Sequence, residues 1–227
     1  MQLLLATILP SILIISLFVF SDKFKEPKFE IIKVFFYGIL ITIPAYFLNS
    51  YIGDALQNTQ LSIALINSFF TAAPVEEGLK LSVLYFLVYK MKDFNEPIDG
   101  IVYGVCASLG FATLENIYYV YLLADYFETS SMSLALLRAF SAVPAHAVFG
   151  LFMGYFFMRY SFIKKGDNLI FAFFVPFGLH SFYNFFIFSS PIIGYAVIFI
   201  AWVIGLRLFS RLKKTQKRKR KEYEKKI

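Results

Sequence analysis

Charge is what this chain has least of. Asp, Glu, Lys and Arg make up 16% of its 227 residues, while 59% are hydrophobic. A soluble domain carries about 25% charged residues, so the composition excludes an ordinary soluble fold and indicates an integral membrane protein. A mean hydropathy of +0.66 agrees. Cysteine is nearly missing. Cys106 stands alone, which excludes an intrachain disulfide and leaves the redox compartment unread. With only two histidines there is no His-Glu-x-x-His pair, the common signature of zinc proteases. No internal repeat is visible, which argues against transporter folds built from duplicated halves. The net charge of +7 does not mark a nucleic-acid surface, because ten of the 22 Lys and Arg fall within residues 211–226.

What the chain has is apolar runs. They predict helices near 2–20, 31–50, 60–90, 98–122, 134–158, 168–188 and 192–210. Each is about 19 residues or longer, enough to cross a hydrocarbon core of about 30 Å. The expected fold is all-α, a polytopic bundle of about seven transmembrane helices (six to eight). Residues 1–210 form a single membrane domain and 211–227 a basic tail. The third run contains Pro74 and is expected either to kink or to divide into two shorter helices. Segment 1 has no basic n-region and no small-x-small cleavage site, so it reads as a retained helix rather than a signal peptide.

Basic residues alternate along the connections. Twenty of the 22 lie in 21–33, 90–97, 159–167 and the stretch from Arg207 onward, and none lies in 51–59 or 123–133. By the positive-inside rule the N-terminus is outside and the C-terminus cytoplasmic, in a cell membrane that is most naturally bacterial. The tail is a solvated flank or a contact for anionic lipid headgroups.

The remaining charges sit at membrane depth, where a charge costs several kcal/mol on insertion scales and marks function by default. Pro74-Val75-Glu76-Glu77-Gly78-Leu79-Lys80 places Glu76 and Lys80 four apart and Glu77 and Lys80 three apart, so one carboxylate pairs with the ammonium. The other is left to act as a general base. Gly104, Ser108, Ala112 and Glu115 share a small-residue stripe that turns Glu115, with Asn116 beside it, into the bundle. Ala142, His146, Gly150 and Gly154 form a second such stripe. Arg138 is placed to pair with Glu115 or to reach the outer surface. His180 and Asn184 are one helical turn apart and can donate to one small group, as an oxyanion hole requires. For each of these residues alone, a packed interhelical hydrogen bond is the competing reading.

Taken in order, Glu76-Glu77-x-x-Lys80, Phe111-x-x-x-Glu115-Asn116 and His180-x-x-x-Asn184 resemble the signature of the PrsW intramembrane proteases, within the wider superfamily of CAAX-processing and bacteriocin-processing proteases. The resemblance implies cleavage of a single-pass membrane protein such as a membrane-anchored anti-sigma factor, the first cut in envelope-stress signalling. It implies Glu76 as the base that activates water, Glu77 as the partner of Lys80, Glu115 as an orienting group, and His180 with Asn184 as oxyanion donors. It assigns no role to His146 or Arg138. It implies a metal-free glutamate mechanism, with zinc held by Glu76, Glu115, His146 and His180 as the alternative. Two other classes compete: a proton- or cation-coupled transporter, and a non-catalytic scaffold or immunity protein that would tolerate loss of Glu76.

Overall fold

The structure is a computed structural model that describes residues 1–164 and 166–224. Lys165 and residues 225–227, which belong to the basic loop and tail counted above, lie outside the described residues. The elements are α1 (Gln2–Ser21), α2 (Lys28–Leu56), α3 (Ile63–Leu65), a π-helical turn (Ile66–Ala72), α4 (Ala73–Phe86), a 3-10 turn (Val88–Lys90), α5 (Pro97–Leu122), α6 (Ser131–Phe140), α7 (Ala142–Ile163), α8 (Asp167–Ser189) and α9 (Pro191–Glu224). Among the described residues there is no strand. Six stretches are long and apolar enough to cross a membrane: α1, α2, α5, α6 with α7, α8 and α9. The broken run through α3, the π turn and α4 is the seventh apolar segment. The chain is therefore a multi-pass, all-α membrane protein.

Two of the expected helices are interrupted, both next to a proline. Proline lacks an N–H, and its ring crowds the carbonyl four residues back. Pro74 would crowd the carbonyl of Phe70, and the backbone there widens into the π turn, where Thr71 Oγ1 donates to the carbonyls of Asn67 (3.2 Å) and Ile66 (3.4 Å). One extra residue in a turn rotates all that follows by about 100°. Pro144 would crowd the carbonyl of Phe140, and the predicted helix over 134–158 divides there into α6 and α7. At the junction, Ser141 departs from helical geometry with φ −123° and ψ −77°. The last helix, by contrast, outruns its predicted end at residue 210 and continues into the tail as far as Glu224.

Burial sorts the helices. Of the apolar window, 89% is buried in α5 and 72% in α6–α7, against 17% in both α1 and α2. The outer helices turn residues such as Leu17, Phe36 and Ile192 outward, the surface expected against lipid. The central pair, α5 and α7, touch backbone to backbone. A Cβ at Gly100 would fall 2.6 Å from Met158 Cβ, and Cβ atoms at Gly104 or Gly150 would overlap the carbonyl of the other. This close packing brings the second half of α5 and the first half of α7 together around the polar residues of the interior.

Candidate active site

Five helices contribute to one buried polar cluster. Glu76, Glu77 and Lys80 come from α4, Glu115 and Asn116 from α5, Arg138 from α6, His146 from α7 and His180 from α8. All but Glu115 and Arg138 are buried, and those two side chains are only 16% and 11% exposed. Glu115 lies seven residues before the end of α5, about 10 Å along the axis. The cluster is thus nearer the end of the bundle that carries the 123–130 connection.

Lys80 is the hub. Its Nζ donates to Glu77 Oε1 at 2.7 Å, lies 3.1 Å from His146 Nδ1 and sits over the Phe111 ring at 4.4 Å. Glu77 Oε1 also accepts from His180 Nδ1 at 2.9 Å, and the His180 ring stacks on Phe149 at 4.8 Å between centroids. His146 Nε2 meets Glu115 Oε2 at 3.1 Å, and Ser108 Oγ fixes the His146 carbonyl at 2.6 Å. Arg138 closes the outer side. It donates to Glu115 Oε2 at 2.6 Å and Asn116 Oδ1 at 2.5 Å, with its guanidinium 3.9 Å from the Tyr119 centroid. Asn116 in turn donates to the carbonyl of Thr7 on α1 at 3.0 Å.

These bonds fix the protons by inference. A lysine ammonium only donates, so His146 Nδ1 accepts from it and His146 Nε2–H faces the Glu115 carboxylate. His180 donates through Nδ1 and keeps Nε2 as a lone pair. Lys80 then balances Glu77, and Arg138 balances Glu115. Glu76 is the carboxylate left over. Its Oε2 is buried with no hydrogen bond, and its ion pair with Lys80 Nζ, at 3.5 Å, is longer than the 2.7 Å pair of Lys80 with Glu77. Glu77 Oε2 is also buried without a partner.

Glu76, His146 and His180 each offer a donor atom, and the three atoms lie within 4.8 Å of one another. Two imidazoles and a carboxylate are the donor set of many catalytic zinc sites. The fit has support beyond proximity. Glu76 Oε2 is orphaned, and the Glu77 carboxylate holds His180 through its other ring nitrogen, as the outer carboxylate of a metal-bound histidine does. His146 is the less ready donor, since both its nitrogens are engaged.

Of the residues singled out in the sequence, the structure brings Glu76, Glu77, Lys80, Glu115, Asn116, Arg138, His146 and His180 into contact as one network. Asn184, half-buried one turn along α8 from His180, hydrogen-bonds to none of them. The roles of Phe111, Phe149 and Tyr119 as aromatic walls were missed. The spacing of Phe111 and Glu115, one turn apart on α5, was the available signal for the first of them.

The family model for the PrsW family intramembrane metalloproteases matches residues 26–207. Proteins named Protease PrsW align over most of the chain. That of Oceanobacillus iheyensis is 35% identical over 217 residues, covering 93% of this chain and 96% of its own. That of Geobacillus kaustophilus is 36% identical over 218 residues, covering 93% and 92%. That of Bacillus subtilis is 35% identical over 209 residues, covering 89% and 91%. No solved structure matches the chain.

Proposed function

Because the chain belongs to the PrsW family of intramembrane proteases, we propose that it hydrolyses a peptide bond in a single-pass membrane protein, a membrane-anchored anti-sigma factor being the substrate that fits the family, with water activated at Glu76. The observation that carries this reading is the buried carboxylate of Glu76, left without a hydrogen bond beside two imidazoles.

In the reading without a metal, Glu76 removes a proton from water as its oxygen attacks the carbonyl carbon of the substrate. The protonated Glu76 then returns that proton to the amide nitrogen as the C–N bond breaks. Glu77 keeps the His180 ring in place and neutralises Lys80. Lys80 holds His146 directly, and Arg138 holds it from the other side by way of Glu115. Asn184, one turn along α8 from His180, donates to the developing oxyanion.

The convergence of three donors favours a second reading, in which Glu76, His146 and His180 hold a divalent ion such as zinc. When bound there, the ion would supply Lewis-acid polarisation of the substrate carbonyl and a more acidic water. Glu77, whose Oε2 is buried and unpartnered, is then the carboxylate that remains to take up a proton.

The protein is placed with its N-terminus outside and C-terminus in the cytoplasm, which puts the cluster in the outer half of the bilayer. Arg207, Arg211, Lys213 and Lys214 lie against anionic headgroups at the inner face.

One assay separates these readings. Purified protein in detergent is given a single-pass reporter, with and without a chelator. Cleavage that needs Glu76 and ignores the chelator supports the glutamate reading. Loss on chelation with recovery on adding zinc supports the second. Near-normal cleavage by Glu76→Gln overturns both.

A further inference from the structure

A second buried acidic cluster lies at the other end of the bundle. Asp22 caps the end of α1, Glu26 lies in the connection to α2, and Asp99 is in the first turn of α5. One carboxylate oxygen from each lies within 4.8 Å of the others, and all three residues are buried. Asp99 is sixteen residues before Glu115 on the same helix, about 24 Å away along its axis, so this cluster is separate from the proteolytic one.

Its donors account for only part of its lone pairs. Tyr103 Oη donates to Glu26 Oε2 at 2.6 Å. The backbone N–H groups of Asn95 and Glu96 donate to Asp99 Oδ2 at 2.9 and 2.6 Å, and that of Phe24 to Asp22 Oδ1 at 3.1 Å. Asp22 Oδ2 and Asp99 Oδ1 are buried with no partner. No ion pair among the described residues reaches any of the three. Burial, together with the nearby charges of Asp22 and Asp93, raises the proton affinity of Glu26, against the lowering effect of its bond to Tyr103.

A fourth side chain, from a separate helix, points to a ligand. Gln216 on α9 is 5% exposed. Its Nε2 donates to Asp22 Oδ1 and to Glu96 Oε2, both at 2.8 Å. Its Oε1 is buried with no hydrogen-bond partner. The three carboxylates offer oxygen only. That is the preference of hard cations.

We propose that Asp22, Glu26 and Asp99 bind a hard divalent cation, calcium or magnesium. The site ties the α1–α2 connection and the C-terminal helix to the start of α5. A cation there replaces mutual repulsion among buried carboxylates with attraction, and so stabilises the native bundle.

The test uses the full chain carrying Glu76→Gln, which weakens the other candidate site and prevents self-cleavage. Equilibrium dialysis with calcium, and separately magnesium, should find one bound ion per chain. Saturating cation at a hundred times Kd should raise Tm by about 5–10 °C. Adding Asp99→Asn or Glu26→Gln should abolish both effects, while adding His180→Ala should leave them intact. Asp99 also caps α5, so if Asp99→Asn fails to fold, Asp22→Asn carries the same expectation. Absence of a bound ion overturns the proposal. So does a cation effect that survives all three acidic-cluster variants. A Tm that rises on acidification but ignores both cations shows that protons alone neutralise the cluster, and overturns it as well.

Discussion

Replacing Glu76 and Glu77 by glutamine, one at a time, should move stability in different directions although the residues are adjacent. Glu77 Oε1 accepts from both Lys80 and His180, at 2.7 and 2.9 Å. Its loss leaves a fully buried ammonium whose nearest remaining carboxylate is Glu76 at 3.5 Å. Breaking a buried pair by removing one partner costs about 3–5 kcal/mol. At about 2–4 °C per kcal/mol for a chain of this size, Tm should fall by on the order of 10 °C. Glu76 has no hydrogen bond to Oε2 and only a longer, 3.5 Å ion pair with the Lys80 that Glu77 already neutralises, so Glu76→Gln removes a buried carboxylate in excess of its cations. Its Tm should hold or rise. Turnover should fall in both, but Glu76→Gln should show the loss in fully folded protein, by about 10²–10⁴ if a general base is removed. The assay is a pair of melting curves in one detergent beside cleavage of a single-pass reporter. If Glu76→Gln melts as early as Glu77→Gln, Glu76 has a native partner and the charge accounting is wrong.

Cysteines introduced at Ala55 and Glu128 should react with an impermeant reagent in intact cells; labelling only after permeabilisation at either position would reverse the orientation. Arg138→Leu removes the charge that balances Glu115 together with the bond to Asn116, both at partly exposed side chains. It should cost roughly 2–3 kcal/mol, at or below the lower end of the range for a fully buried pair, and slow cleavage, as read by melting and by reporter turnover. Asn184→Ala should reduce turnover by about 10²-fold with little change in Tm, because it removes an oxyanion donor that supports no other group. An Asn184→Ala protein that melts early and cleaves normally would make Asn184 a packing residue.

The seven apolar segments were legible because each had a length that only a membrane explains, and no polar face was needed to find them. Their internal breaks were harder. Pro74 was read as a kink or a division, and the structure resolves it into a π turn whose extra residue is paired with the Thr71 hydroxyl. Pro144 falls inside a run that the apolar pattern alone makes one helix over 134–158. Its ring in fact separates α6 from α7, and that break lets Arg138 approach Glu115 from a different axis than His146 does. The end of α9 was set too early because a run of Lys and Arg reads as the close of a membrane span, although those residues favour helix as well as any.

In the site, the residue set was legible and the wiring only in part. The pairing of Lys80 with one neighbouring glutamate followed from spacing, but spacing does not choose between positions three and four apart. The choice of Glu77 comes from His180, which approaches from α8 and draws the same carboxylate oxygen. That long-range contact leaves Glu76 the more distant partner of Lys80, without a hydrogen bond to Oε2, and no local pattern carries it. The contact of His146 with Lys80 and Glu115 likewise depends on how closely α5 and α7 meet, which the glycines at 100, 104, 150 and 154 allow. Both Glu76 and His146 lie two residues after a proline that interrupts its helix. The same break that frees backbone geometry therefore sets the direction of a reactive side chain, in α4 and again in α7. A bulky residue at Gly104 would push α5 and α7 apart and draw His146 away from Glu115 and Lys80 without touching any polar group. The small-residue stripes thus belong to the chemistry of the site as much as the charges do.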